Sequence, residues 1–314
     1  GRHVTSVAVL GLGGSGFSGD VAVAAAAPSM RVPVVVSKGY EAPAFVDEGT
    51  LVVAVSYSGA TEETLEAAAA SLRAGAPLVA VCSGGELARL AADAGAPVLR
   101  CVEGLQPRAA VGELVAPVLV TLERAGLLPE ATTMIRQAVT QLAARRDTCR
   151  VGADPARNPA RELARRIGRT IPLVYGGGAL GAAAAMRWKT EINENAKAPA
   201  FWNAYPELDH NEICGWGQHG DVTRQVFTLV ELRHAFEHAQ VARRFEITRD
   251  IIEETLSQVL SVEAQGEGRL AQLLDLVYVG AWTSVYLAAD AGVDPGPVEV
   301  ISRLKMELSK GVHS

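Results

Sequence analysis

The strongest constraint on this chain is an alternation: short, unbroken apolar runs, most of them closed by glycine, serine or cysteine, are followed by Ala/Leu-rich stretches of helical length. Strands are expected over residues 4–10, 33–37, 51–56, 78–82 and 98–101, with helices near 18–27, 61–74 and 86–94. A run without polar alternation suits a strand covered on both faces, and strand–helix–strand order makes the sheet parallel. At Pro107 the strand signal stops, and two helices fill the next stretch, near 108–125 and 130–150. The signal resumes beyond the polar, turn-prone segment 152–159. There follow a short helix over 161–167, a strand over 170–175, the turn Gly176-Gly177-Gly178 and an Ala-rich helix to about residue 196. Further strands are expected at 225–232 and 259–263, and helices near 237–244, 270–289 and 297–309.

Both halves open with strand, glycine-rich turn and helix. That predicts two related α/β subdomains, each a mostly parallel sheet flanked by helices in three α-β-α layers. At about 150 residues per domain, the 314 residues divide into 1–152 and 153–314. Hydrophobic residues make up 49% and charged residues 20%, enough apolar material to exclude a disordered chain. A net charge of −6 argues against nucleic-acid binding through a basic surface. The apolar stretch 21–28 falls far short of the roughly 20 residues that a membrane span needs. Gly1-Arg2-His3-Val4 runs straight into a strand-like segment, so no secretory leader is expected. Cys82, Cys101, Cys149 and Cys214 show no CxxC spacing, so neither a zinc cage nor a disulfide framework is expected. The expectation is a cytoplasmic protein with no nucleic-acid or membrane partner.

Four segments concentrate the chemistry. Gly11-Leu-Gly-Gly-Ser-Gly16 formally matches GxGxxG, but the second strand ends at Ser37-Lys38-Gly39 without the acidic residue that would hold a ribose. Gly14 and Ser15 then read as a turn that lets a ligand touch the backbone beside a hydroxyl. Ser56-Tyr-Ser-Gly-Ala-Thr-Glu-Glu-Thr64 places the hydroxyls of Ser56, Ser58 and Thr61 where a helix begins. Free N–H groups and the helix dipole favour an anion there, which suits a phosphomonoester. The same residues also fit a helix cap, with Thr61 or Ser58 capping and Glu62 and Glu63 in the first turn.

In Glu191-Ile-Asn-Glu-Asn-Ala-Lys197, Glu191 and Glu194 share a helix face, as do Glu194 and Lys197. Spacing alone favours a solvated helix end carrying an i,i+3 ion pair. Tyr205-Pro-Glu-Leu-Asp-His-Asn-Glu-Ile213 gathers carboxylate, imidazole and amide in one loop, with His210 able to titrate near neutrality. His234 and His238 lack a third ligand in sequence, so no metal site is expected. Arg108 and Lys305, each taken alone, read as surface charges.

Taken together, GLGGSG, SYSGATEET, QPRAA, NENAK, PELDHNEI and ISRLKMEL, in that order across nearly the whole chain, resemble the bifunctional phosphoglucose/phosphomannose isomerase family. That family is built from two sugar isomerase (SIS) subdomains. The resemblance implies a hexose 6-phosphate substrate, no cofactor and no metal. Gly14, Ser15, Ser56, Ser58 and Thr61 would line the sugar and phosphate site. Arg108 would stabilise the enediolate, and Glu194 would shuttle a proton between C1 and C2. His210 would act in ring opening from the neighbouring subunit of a homodimer, and Lys305 would assist ring opening or bind sugar oxygens. Ala60 stands where relatives have asparagine. Gly296 stands where they often carry a threonine linked to accepting the mannose epimer, so glucose 6-phosphate is implied more firmly than mannose 6-phosphate. Two other readings compete: a non-catalytic sugar-phosphate-binding regulator on the same scaffold, and a nicotinamide-dependent dehydrogenase from the GxGxxG match.

The implied chemistry is coherent. Aldose–ketose isomerisation moves one proton beside a carbonyl and needs no redox partner. A positioned carboxylate base contributes typically ~10²–10⁴-fold. A fixed positive charge at the developing oxyanion adds the electrostatic part, and a distant phosphate holds the reacting carbons in place.

Overall fold

A computed structural model describes residues 3–26 and 28–310. The first half runs β1 (Ser6–Leu10), α1 (Gly13–Ala26), β2 (Val34–Ser37), β3 (Thr50–Val55), α2 (Glu62–Arg73), β4 (Leu78–Cys82), α3 (Gly85–Asp93) and β5 (Val98–Arg100). Helices α4 (Val111–Arg124), α5 (Ala131–Cys149) and α6 (Pro159–Ile167) follow. The second half comprises β6 (Ile171–Gly177), α7 (Gly178–Glu191), β7 (Phe201–Tyr205), α8 (Gly220–Val226), β8 (Phe227–Arg233), α9 (Ala239–Ile252), β9 (Gln258–Glu263), α10 (Arg269–Asp290) and α11 (Glu299–Lys310).

All strand pairs are parallel, in the orders β2-β1-β3-β4-β5 and β7-β6-β8-β9. The second order repeats the first four strands of the first sheet, so the two halves share one topology, as the repeated strand–turn–helix pattern predicts. Strand β3 is buried at every position, the expected consequence of an apolar run covered by helices on both faces. In each sheet the chain leaves the first strand toward one side and later returns on the other. The crevice at the carboxyl ends of β1 and β3 is therefore a topological switch point, where α/β sheets bind ligands.

Several expected boundaries move, each for a local reason. Helix α1 begins at Gly13 rather than near residue 18, because the glycine turn is itself the first helical turn; the last residue of the expected helix, Ala27, lies outside the described residues. Residues 225 and 226 close helix α8 instead of opening strand β8. Helix α9 starts after His238, whose Nδ1 accepts from the Gln240 N–H at 3.1 Å, because Glu237 is bound to Arg233 and to the His234 N–H. The long helix expected to reach residue 196 is α-helical only to Glu191 and continues as a π turn over Ile192–Ala196. Strand β7 is an addition to the expected set: Phe201-Trp-Asn-Ala-Tyr205 has aromatic residues that favour a strand, but no continuous or alternating apolar run to mark it.

Helix α10 joins the halves, packing on α5, α6 and α7. It is long and apolar enough to cross a membrane, yet 72% of its apolar window is buried inside the protein. In its second turn Asp275, fully buried, receives Arg145 of α5 through two bonds of 2.8 and 2.7 Å. Gln141 Nε2 and the Gln265 N–H also donate to Asp275, each at 2.8 Å. A buried ion pair is tolerated when its remaining lone pairs are satisfied in this way, and removing one partner strands the other charge. Asp275→Ala is expected to lower the unfolding free energy by about 3–5 kcal/mol, measured by urea denaturation of the variant beside the parent.

Candidate active site

The glycine turn and the serine-rich loop interlock at the switch point. Gly11 and Gly14 have no room for a side chain: a Cβ would lie 2.7 Å from the Val55 carbonyl oxygen and 2.9 Å from that of Pro107, respectively. Glycine there lets the amino end of α1 approach both the end of β3 and the segment leading to Arg108. Ser15 is buried, and its Oγ accepts from the Tyr57 N–H at 3.1 Å, so its own hydroxyl hydrogen remains free to donate to a ligand.

Thr61 has the backbone of a helix cap, but its side chain does not cap α2. Its Oγ1 instead meets Ser56 Oγ at 2.8 Å. Ser58 is exposed, and its Oγ accepts from the Ala60 N–H at 3.3 Å. The capping reading of these hydroxyls therefore fails, and the first turn of α2 keeps N–H groups without a side-chain cap, the arrangement that favours an anion. Gly59 has φ +66°, and a Cβ there would sit 1.8 Å from the Gly84 carbonyl oxygen. The loop is thus pressed against the start of α3, where the Leu87 N–H bonds to the Gly59 oxygen at 2.9 Å.

Tyr57 is a residue that the sequence did not single out. Its hydroxyl donates to the Val102 oxygen at 2.7 Å and accepts from the Leu105 N–H at 2.8 Å. Its carbonyl accepts from Ser83 Oγ at 2.7 Å. One buried ring thereby ties the serine loop to the strap that carries Arg108. The only hint in the sequence is an aromatic residue between two serines.

Arg108 is not the surface charge that its isolated position suggests; it is 8% exposed. Nε donates to Asn195 Oδ1 at 2.7 Å, and Nη2 donates to the Pro295 and Gly296 carbonyls at 2.5 and 2.8 Å. Nη1 keeps only long contacts, to Gln106 Oε1 at 3.5 Å and Glu194 Oε2 at 3.7 Å. The guanidinium is therefore fixed on two nitrogens and open on the third, beside the Glu194 carboxylate.

Glu194 lies in the π turn, with its side chain 31% exposed. The ion pair expected between Glu194 and Lys197 does not form. Lys197, at φ +55°, turns its Nζ to the Glu194 backbone carbonyl and to the Pro295 oxygen at 3.3 Å. Glu191 is buried rather than solvated and pairs with Arg187. Burial pushes the Glu191 carboxyl above its ordinary range, with Arg187 opposing.

Gly14, Ser15, Ser56, Ser58, Thr61, Arg108 and Glu194 thus join into one connected site. His210 and Lys305 do not join it within the chain. His210 is exposed at the end of the short 3-10 turn Glu207–His210 after β7. The neighbouring Asp209 anchors that turn to α9 through Arg244 at 2.8 Å and Thr248 at 2.9 Å. Lys305 lies on α11, which is exposed at every residue. His234 and His238 do not share a site: His234 Nε2 meets the Gly177 oxygen at 2.9 Å, and His238 caps α9.

Two family models match the chain: the SIS domain over residues 2–96 and the bacterial phospho-glucose isomerase C-terminal SIS domain over residues 156–308. The bifunctional phosphoglucose/phosphomannose isomerase of Caldicellulosiruptor bescii is 36% identical, covering 98% of this chain and 91% of its own. The protein of the same name from Aquifex aeolicus is 33% identical, covering 96% and 89%. Among solved structures, the C-terminal domain of glucosamine-fructose-6-phosphate aminotransferase from Francisella tularensis superposes with a TM-score of 0.65. It is 15% identical and covers 93% of this chain and 85% of its own, a likeness of fold.

Because Gly59 can bear no side chain, Gly59→Ala is expected to displace the serine loop. In thermal unfolding, inorganic phosphate should raise the Tm of the parent, and the variant should lose that protection.

Proposed function

Since this chain belongs to the bifunctional phosphoglucose/phosphomannose isomerase family, and is an aldose–ketose isomerase, we propose that it interconverts glucose 6-phosphate, and less readily mannose 6-phosphate, with fructose 6-phosphate at the Arg108–Glu194 site. The observation that carries this reading is the open Nη1 of a buried, otherwise saturated arginine, 3.7 Å from a partly exposed carboxylate. The phosphate sits on Ser15, Ser56, Ser58, Thr61 and the first turn of α2, and Gly14 lets it approach the backbone. Glu194 takes the proton from C2 of the open-chain aldose, and the electron pair moves through C1 to leave negative charge on O1. Arg108 Nη1 faces that charge, and the three fixed bonds on its other two nitrogens mean that little reorganisation accompanies the step. The proton returns to C1, O2 gives up its hydrogen, O1 takes one up, and the ketose results. The transfer is redox-neutral within one molecule.

His210 and Lys305 act in ring opening, with His210 supplied by the partner of a cytoplasmic homodimer; the exposure of His210 and of α11 within one chain supports that reading. The two subdomains meet near residue 152, in keeping with the separate matches to 2–96 and 156–308.

Gly296 offers only a backbone carbonyl to Arg108, where the threonine linked to mannose acceptance would place a hydroxyl. Turnover measured side by side is expected to favour glucose 6-phosphate, and Gly296→Thr to raise the mannose-to-glucose ratio. Glu194→Gln should lower kcat for fructose 6-phosphate conversion ~10²–10⁴-fold, the usual contribution of a general base, with phosphate protection against unfolding intact. Full activity in that variant would overturn the assignment of the base.

A further inference from the structure

The buried side of Arg108 is held by a network of side chains shielded from solvent. Asn195 Oδ1 accepts from Arg108 Nε at 2.7 Å, while Asn195 Nδ2 donates to Glu191 Oε2 at 2.8 Å and to Ser284 Oγ at 2.9 Å. These partners also settle which way the amide faces, since a carboxylate requires a donor and Nε requires an acceptor. Glu191 is paired in turn with Arg187, whose Nη2 donates to the Arg108 backbone carbonyl at 2.6 Å and whose guanidinium lies 5.1 Å from the Phe17 ring centroid. Arg187, Glu191 and Asn195 are 3%, 4% and 6% exposed, so none of them is a surface ion pair with an aqueous alternative. A guanidinium is planar, and its orientation is set once Nε and Nη2 are fixed. Pro295 and Gly296 hold Nη2 from a loop; Asn195 holds Nε from the same π turn that carries Glu194. The base and the residue that aims the cation are therefore adjacent in sequence.

We propose that Asn195 is a positioning residue for the isomerisation: anchored by Glu191 and Ser284, it fixes the plane of the Arg108 guanidinium so that Nη1 faces the reacting oxygens beside Glu194. The inference rests on the role proposed above for Arg108. Asn195 touches no substrate and acts through Arg108 alone. A displacement of about 1 Å at a reacting group can cost ~10²-fold, so Asn195→Ala is expected to lower kcat ~10–10²-fold. KM is expected to stay close to the parent value, because the phosphate contacts lie on other elements.

A double-mutant cycle with Arg108→Ala separates this role from general loosening of the fold. If Asn195 works through Arg108, Asn195→Ala has little further effect on kcat once Arg108 is alanine. An effect of the same size in both backgrounds, or unchanged kcat in Asn195→Ala alone, overturns the inference. Unchanged turnover in Arg108→Ala alone overturns instead the role given to Arg108. Should Asn195→Ala fail to fold, Ser284→Ala removes one of the two anchors with a smaller change in volume. It should give a several-fold loss of kcat that likewise disappears in Arg108→Ala, and persistence of that loss would count against the proposal.

Discussion

The site depends on one buried guanidinium. Arg108 comes from the strap that ends the first half of the chain. The groups that saturate it, the Asn195 amide and the carbonyls of Pro295 and Gly296, all come from the second. Taking a guanidinium out of water is costly unless fixed acceptors replace its hydration, and here those acceptors lie across the junction between the halves. The contact that satisfies Arg108 is therefore also a contact that holds the halves in register. Moving Asn195 would leave a nearly buried cation short of an acceptor, so the geometry of the site and the fit of the two subdomains are coupled. Arg187 reinforces the coupling by bonding the Arg108 carbonyl from α7.

Two copies of one topology invite two sites, yet their switch points differ in chemistry. In the first half the crevice presents Ser15, Ser56 and Thr61 beside an uncapped helix turn. In the second it is occupied by the protein itself. A Cβ on Gly177 would lie 2.9 Å from Val241 Cγ1 and 3.0 Å from Phe245 Cε2, so α9 covers the turn. Glu237 holds Arg233 and the His234 N–H, and the Arg233 guanidinium lies 4.2 Å from the Phe245 ring centroid. His234 Nδ1 accepts from the Phe236 N–H at 3.2 Å, which places the ring hydrogen on Nε2 and makes it a donor to the Gly177 oxygen. Burial lowers the tendency of that ring to take a second proton. The second switch point is filled by packing, and the second half contributes to the candidate site from another place, the carboxyl end of α7 and the loop before α11.

What the sequence discloses follows the range of the forces involved. Strands β1, β3 and β4 were legible because a buried parallel strand is written as a continuous apolar run, a local property. The serine loop was legible because hydroxyls crowd at the start of a helix. The π turn was not, since nothing in Ile192-Asn-Glu-Asn-Ala196 demands a wider turn than the preceding helix; it is fixed by Asn195 reaching Arg108 and Ser284, both far away in sequence. Strand β7 was hidden although its three aromatic residues favour strands, because this short edge strand has neither a continuous nor an alternating apolar run, and Phe201 and Trp202 are exposed. The burial of Arg108, Arg187 and Glu191 could not be read from one chain of letters, because charge predicts exposure unless the partners are known. Their spacing gave only Glu191 and Glu194 on one face, and the structure separates the two, pairing one with Arg187 and leaving the other beside Nη1.

The separation of His210 and Lys305 from the Arg108–Glu194 site matches a split in what the proposed reaction asks of these residues. Moving a proton between two carbons through an enediolate requires a base held close to the substrate and a cation aimed at one oxygen, because carbon acids are slow to ionise and misplacement is costly. Arg108 and Glu194 meet that demand from the junction of the two halves. Ring opening breaks the C1–O5 bond as O1 gives up a proton and O5 takes one up, and these transfers between oxygens can pass through a bridging water. The residues proposed for it, His210 at the end of its turn and Lys305 on α11, are both exposed. Asp209, tied to Arg244 and Thr248, fixes where the His210 turn leaves the domain without burying the imidazole. A group placed in this way can be delivered to a neighbouring subunit, whereas Arg108 is held in place by acceptors from the other half of its own chain.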